Sequence, residues 1–226
     1  MKIATDANGC GMSVGGNEFK ESVSKLISER QPQKIIETGT FLGTGTTKII
    51  LDSLDSLGKE YKMFSIEVNP DYYKKACENL IGRNIKIING LSIPAKLLPT
   101  EQQTESWIES LKEKDIFVDH QEKDRITLYN KECDFEVPNN CLEVCMSIFN
   151  YEPDLLVLDS AGHVGYIEFQ YVRSLLNKPC IFILDDVYHI KHNKSLEFML
   201  QNEDRFKIIK LSSEKFGFVI AEYKGL

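Results

Sequence analysis

The sequence predicts an α/β protein in which helices cover both faces of a doubly wound, mostly parallel sheet. Apolar, β-favouring runs alternate with helix-like segments along most of the chain, and this alternation favours parallel strands joined by crossover helices. Only four residues separate the last two strand-like runs, 206–211 and 216–221, which therefore predict an antiparallel hairpin. We expect seven strands, with this hairpin at the C-terminal end of the sheet.

The first part of the chain predicts an N-terminal arm and helix, residues 1–32, followed by alternating strands and helices. Residues 1–16 are glycine-rich and predict a flexible arm. Residues 17–30 carry apolar side chains at helical spacing, which predicts a helix that covers the edge of the sheet. Strands are expected at 34–36, 61–68 and 84–89, and helices at 46–56 and 71–83.

The alternation breaks down between residues 92 and 140. This segment contains a polar helix-like stretch at 101–114 and a charged stretch in which 126–129 can add a short strand. Connections of this length are uncommon within a domain and tend to be functional or disordered. We interpret residues 92–140 as an insertion that caps a substrate pocket or makes a subunit contact in a homo-oligomer, with disorder as the alternative. Two further strands, at 154–158 and 180–184, flank a helix at 161–174 and complete a single predicted domain over residues 1–226.

Composition excludes several classes of protein. The net charge of −7 argues against a nucleic-acid partner, because phosphate contacts need a basic surface. The start of the chain lacks the apolar core of a signal peptide, and no stretch approaches the length of a membrane span. We therefore expect a cytoplasmic protein without a membrane partner. The six cysteines form no CxxC pair, so a structural zinc site is not expected.

The segment ETGTFLGTGTT, residues 37–47, lies between the first strand and the next helix. Gly39, Gly43 and Gly45 permit a tight turn that brings the main chain close to a ligand. The spacing differs from a dinucleotide fingerprint, since Lys48 stands where a third glycine or alanine is needed, and it lacks the residues of a P-loop. The remaining pattern, which Glu37 opens, favours a nucleoside cofactor, with a purely structural turn as the alternative.

This pattern resembles motif I of the class I S-adenosylmethionine-dependent methyltransferases, whose fold is Rossmann-like. The resemblance implies that Glu37 places the cationic methionine part of the cofactor while the loop passes the ribose. Glu67 ends the second strand and can accept both ribose hydroxyls, although a solvated turn residue is the alternative. The candidate cofactor-binding residues are Glu37, Gly39, Thr40, Gly43, Gly45, Glu67, Asp159 and, where the family commonly touches adenine, Ser92.

Three aspartates follow the fourth and fifth strands. Asp159 ends one strand, and Asp185 and Asp186 end the next, so all three are expected at the same carboxyl edge of the sheet. Clustered carboxylates repel one another unless a positive charge lies among them, and a divalent metal, with Mg²⁺ first, is the simplest such charge. The alternatives are helix caps or contacts to the cofactor alone.

The three aspartates resemble the metal site of metal-dependent O-methyltransferases, of the catechol type and of the macrocin and aminocoumarin sugar type. In those families an aspartate after the fourth strand and an Asp-Asp or Asp-Asn pair after the fifth hold the metal. The Asp-Asp pair favours the sugar type. The catechol enzymes carry a lysine three residues after their first aspartate, and Gly162 stands there in this chain.

Three of the four histidines follow the same strand ends. His163 is the first candidate for a catalytic base and His189 the second, because an imidazole can accept a hydroxyl proton near neutral pH. Alternatively, His189 and His192 supply nitrogen ligands to a transition metal.

These features predict an S-adenosylmethionine-dependent methyltransferase that carries out divalent-metal-assisted O-methylation of a small hydroxylated, sugar-like acceptor. The alternatives are metal-independent N- or C-methylation on the same fold, and cofactor binding without catalysis.

Overall fold

A seven-stranded mixed sheet is the centre of the structure. The computed structural model describes residues 4–5, 11–12, 16–111, 114, 116, 118, 134–160 and 162–225. The short strand expected at 126–129 lies outside these residues, as does most of the N-terminal arm. Within the arm, β1 (Ala4–Thr5) and β2 (Gly11–Met12) form a separate antiparallel pair.

The order of strands in the sheet is β5-β4-β3-β6-β7-β9-β8, and all neighbours are parallel except those of β9. The predicted terminal hairpin is confirmed, and its second strand, β9, is inserted between β7 and β8. The strands are β3 (Lys34–Thr38), β4 (Lys62–Glu67), β5 (Lys86–Asn89), β6 (Leu155–Leu158), β7 (Cys180–Asp185), β8 (Phe206–Ser212) and β9 (Phe218–Tyr223).

Seven helices occur in the described part of the chain, and most of them overlap segments that the sequence predicted to be helical. They are α1 (Asn17–Arg30), α2 (Thr46–Ser56), α3 (Pro70–Asn79), α4 (Glu101–Glu109), α5 (Cys141–Ile148), α6 (Gly165–Leu175) and α7 (Asn193–Gln201). None of the helices in these residues is long and apolar enough to cross a bilayer.

Alternating side chains of the strands supply a core to each face of the sheet. Ile35 faces α1 and α2, and the adjacent Ile36 faces α5 and α6, as the two-residue period of a strand requires. The prediction that residues 17–30 cover the sheet edge is wrong. α1 instead packs on a face, because Phe19, Val23 and its other apolar side chains join the core cluster of β6, β7 and β9.

The strand order reverses between β3 and β6. From β3 the chain continues to β4 and β5 on one side, and from β6 to β7 on the other. Ligands of open α/β sheets bind outside the carboxyl ends of the strands at this kind of reversal. The loop after β3 and Asp159 after β6 lie at this crevice.

Candidate active site at the carboxyl ends of the strands

The loop after β3 packs closely against the end of β6. Gly39 has φ +83°, and a Cβ atom there would lie 2.0 Å from the carbonyl oxygen of Asp159. Gly43 has φ +70°, and a Cβ atom there would lie 2.6 Å from the side chain of Leu80. In contrast, a Cβ on Gly45 would meet no atom of the described residues within 4 Å. The positive φ angles and the protein's own packing thus account for the first two glycines, whereas Gly45 precedes α2 with φ −100° and ψ −117°, outside the ordinary helical and extended regions.

Glu37 is fully buried beneath this loop. Its Oε2 atom accepts hydrogen bonds from Thr47, at 2.9 Å, and Ser65, at 2.6 Å. Its Oε1 atom has no hydrogen-bond partner within the described residues. Burial raises the pKa of Glu37 to about 8. Thr40 is buried too, and its hydroxyl bonds to Ser65, so this side chain is engaged inside the protein.

Glu67 ties the end of β4 to the same loop. Its Oε2 accepts the amide of Phe41 at 2.7 Å, and its Oε1 accepts the amide of Asn69 at 2.9 Å. Burial raises the pKa of Glu67 to about 7. Each carboxylate oxygen can accept a further hydrogen bond, so the group can hold the loop and receive a ligand hydroxyl at the same time.

The raised pKa values predict that the protein without cofactor becomes less stable as the pH rises. The folded protein holds protons on Glu37 and Glu67 that the unfolded chain releases near its ordinary carboxyl pKa of about 4.5, so stability is lost as the pH rises through about 7 and 8. We expect the free energy of unfolding to fall by roughly 2 to 5 kcal/mol between about pH 6 and about pH 8.5. Urea unfolding of Glu37→Gln, which cannot ionise, should show a smaller decrease than the wild type. Equal decreases would contradict the assignment to Glu37.

Asp159, Asp185 and Asp186 lie together as predicted. One carboxylate oxygen from each lies within 4.8 Å of the others. The alternative that these residues cap helices is wrong, because α6 and α7 are preceded by Val164 and His192, and neither helix has a side-chain cap. The pKa of Asp185 is raised well above its ordinary value. Burial is the largest cause, and the negative charges of Asp186 and Asp159 add to it.

Lys191 is one of two residues of the site that the sequence analysis did not identify. Its Nζ lies 2.7 Å from Asp159 Oδ1 and 2.7 Å from Asp186 Oδ2, and its side chain is only 9% exposed. Burial alone would lower the pKa of Lys191, but the three aspartates outweigh it and raise the pKa well above its ordinary value. The other oxygen of Asp159 accepts the hydroxyl of Thr46 at 3.0 Å, which connects the cluster to the first turn of α2. The available signal for this ion pair was the presence of a lysine five residues after the aspartate pair, near the carboxyl edge of the sheet.

The histidines differ in what they can do. His192 is fully buried between Ser195 and the carbonyl of Leu158, each 3.1 Å from a ring nitrogen, so its proposed role as a metal ligand is wrong. The Nδ1 atom of His189 accepts a hydrogen bond from the backbone amide of Lys191, at 3.1 Å. A neutral ring in that tautomer carries its proton on Nε2 and has no lone pair left for a substrate proton, which disfavours His189 as a base. Burial lowers the pKa of His163 to about 4, so this ring is neutral at pH 7.

Glu168 connects three of the strand ends beneath the crevice. It is fully buried in α6 and accepts the hydroxyls of Thr38 at 3.0 Å, Ser160 at 2.5 Å and Ser92. Sequence reasoning missed it, although a glutamate inside the apolar pattern of a helix is an available signal. The Ser92 hydroxyl is thus occupied by Glu168, and contact between Ser92 and adenine stays a prediction.

The helix of the insertion, α4, lies over the loop that carries Lys191. Trp107, Ile108 and Leu111 form a small apolar cluster with the fully buried Ile190. A cavity of about 460 Å³ next to α4 contains none of the predicted site residues, so it is separate from the crevice. Its lining is Gln102, Gln103, Ser106, Trp107, Ser110 and Lys194.

Solved structures of methyltransferases resemble this chain along nearly its whole length. An O-methyltransferase of Bacillus cereus, solved with S-adenosylhomocysteine, is 12% identical with a TM-score of 0.56, over 96% of this chain and 86% of that one. TomG of Streptomyces achromogenes, an O-methyltransferase involved in tomaymycin synthesis and solved with S-adenosylmethionine, is 12% identical with a TM-score of 0.56, over 96% and 84%. A methyltransferase of Geobacter sulfurreducens is 13% identical with a TM-score of 0.54, over 94% and 81%.

No protein-family profile and no curated protein sequence matches the chain. At 12% to 13% identity the structural similarity establishes the fold alone, which is the Rossmann-like fold of class I S-adenosylmethionine-dependent methyltransferases. The sequence-based prediction of the fold class is confirmed.

Proposed function

We propose that this protein is an S-adenosylmethionine-dependent methyltransferase that methylates an oxygen of a small hydroxylated, sugar-like molecule. The observation that carries the proposal is the unpartnered Oε1 of Glu37, buried under the loop between β3 and α2. A buried polar oxygen without a partner is costly, and the cationic methionine part of this cofactor offers positive charge and N–H donors that would stabilise Glu37 in its ionised form. Glu67, at the neighbouring strand end, has lone pairs left for the ribose hydroxyls.

The reaction balances without any further reactant. The acceptor oxygen forms a bond to the methyl carbon, the carbon–sulfur bond breaks with its electron pair going to sulfur, and the acceptor hydroxyl releases one proton. We assign this proton to His163, which follows β6 and is neutral at pH 7. The site loses the positive charge of the sulfonium as His163 gains one, so the total charge is conserved.

The choice of oxygen as the methylated atom is supported by the structural neighbours. Two of them are described as O-methyltransferases, in complex with S-adenosylhomocysteine and S-adenosylmethionine. Three sequence-based expectations stay predictions. They are that the insertion, which includes α4, caps the acceptor site, that it can make a homo-oligomer contact, and that the protein has no nucleic-acid partner.

The predicted metal assistance conflicts with one feature of the site, the position of Lys191. The oxygen donors of Asp159, Asp185 and Asp186 suit Mg²⁺, which when bound would hold the acceptor oxygen and promote loss of its proton. However, the ammonium of Lys191 already bridges two of these carboxylates. The proposed reaction therefore contains no step that uses a metal ion.

Calorimetry with the whole protein tests the proposal. S-adenosylmethionine and S-adenosylhomocysteine should bind, and NAD and ATP should bind much more weakly. Methylated product should then form from at least one member of a panel of sugars and phenols. Preferential binding of NAD would contradict the proposal, and binding of S-adenosylmethionine without product from any acceptor would favour a non-catalytic cofactor-binding protein.

The Glu67→Ala variant should bind S-adenosylmethionine more weakly by about 1 to 3 kcal/mol, the scale of lost charge-assisted hydrogen bonds. The same calorimetric titration of Glu78→Ala, which removes an exposed carboxylate from α3, should give the wild-type affinity. An unchanged affinity in a folded Glu67→Ala protein would show that this carboxylate only holds the loop.

A further inference from the structure

The positive charge that the aspartate cluster needs is supplied by the chain itself. Lys191 Nζ contacts Asp159 Oδ1 and Asp186 Oδ2, both at 2.7 Å, and these carboxylates are only 17% and 19% exposed. A buried ammonium is stable only when it is paired, and two carboxylates at contact distance pair it. The ammonium therefore uses one oxygen from each of two of the three groups that would bind a metal.

The main chain on both sides of Lys191 is anchored. Before it, Ile190 is buried under α4, and after it, His192 bonds to the carbonyl of Leu158 at the end of β6. The stem of Lys191 packs against Gly165 at the start of α6, where an added Cβ would lie 2.7 Å from Lys191 Cγ. Three elements of the fold thus direct this side chain into the cluster.

A divalent ion and the Lys191 ammonium compete for the same oxygens. An ion bound directly to Asp159 and Asp186 would lie in contact with Nζ, where two positive charges repel strongly because the site is shielded from water. Binding of the ion would require the buried side chain of Lys191 to leave.

We propose that the Lys191 ammonium takes the place of a divalent ion in this protein, so that the aspartates bind a metal only when Lys191 is removed. It follows, if the proposed methyl transfer is correct, that cofactor binding and turnover proceed in EDTA. Lys191 is then a positioning residue that keeps Asp159, and through it Thr46 of α2, in place beside the cofactor loop.

Titration with Mn²⁺ alone, followed by the electron paramagnetic resonance signal of the free ion, tests this proposal. The wild type should bind no Mn²⁺ at this site at millimolar concentration. Lys191→Met should bind one ion, with a dissociation constant at least roughly tenfold below the concentration at which the wild type still binds none. The double variant Lys191→Met with Asp186→Asn should lose that ion. Lys194→Met is the matched control, because it removes a nearby lysine that contacts Trp107 rather than the aspartates, and it should behave as the wild type.

Wild-type protein that binds one Mn²⁺, and loses it in Asp186→Asn, would overturn the proposal, and this measurement does not depend on whether Lys191→Met folds. A folded Lys191→Met protein that binds no Mn²⁺ would also overturn it. Calorimetry of the wild type with S-adenosylmethionine in EDTA separates the two proposals. Failure of the cofactor to bind in both EDTA and Mg²⁺ refutes the proposed function alone, whereas binding or turnover only with Mg²⁺ refutes the role of Lys191.

Discussion

Replacement of Gly39 by valine is expected to abolish binding of S-adenosylmethionine and to lower the free energy of unfolding by roughly 3 to 5 kcal/mol. Two costs add at this position. The φ of +83° disfavours any residue with a Cβ, and that atom would lie 2.0 Å from the carbonyl oxygen of Asp159. Because the obstacle is main chain, relief requires that the loop after β3 and the end of β6 move apart. That movement would displace the cofactor loop and Asp159 together.

Gly82→Val separates the two costs. Gly82 has nearly the same φ, +80°, but a Cβ there would meet no atom of the described residues within 4 Å. This control should lose only about 1 to 2 kcal/mol and should bind the cofactor normally. Urea unfolding and calorimetry of both variants make the comparison. Similar stability and affinity in the two proteins would show that the contact between Gly39 and Asp159 is unimportant.

Replacement of His163 by alanine is expected to lower kcat by roughly 10²- to 10⁴-fold while cofactor affinity stays near the wild-type value, because the assigned role concerns only the acceptor proton. Burial lowers the pKa of His163 to about 4, so the ring is unprotonated at neutral pH, although the same burial makes it a weak base. Single-turnover kinetics with saturating cofactor measure this step directly.

His189→Ala is the matched control for this prediction. Its Nδ1 is used by the amide of Lys191, so its loss should reduce kcat much less than the loss of His163 does. Near-normal turnover in His163→Ala would remove the assignment of the base and leave the proposed methyl transfer standing. Equal losses in both variants would indicate a general disturbance of the loops instead.

The sequence by itself determined the alternation of strands and helices, the terminal hairpin and the edge at which the acidic residues meet. These features depend on local patterns. The run of apolar residues in β6 and β7 predicts a buried strand, and the residue after a parallel strand must lie at the carboxyl edge. The same reasoning placed Glu67 at the end of β4, where its carboxylate accepts the amide of Phe41 in the loop after β3.

Only the tertiary structure decided which charges meet within that edge and how the outer elements are arranged. The prediction of a metal assumed that no cation of the chain lay among the aspartates. The position of Lys191 depends on contacts of its neighbours with β6 and α4, which are distant in sequence. Glu168 likewise accepts hydrogen bonds from hydroxyls at three separate strand ends. Helix α1 packs on a face of the sheet because its apolar side chains join the core residues of β6, β7 and β9. Local sequence patterns specify where a strand ends, but the conformation of a loop depends on its contacts with residues that are distant in the sequence.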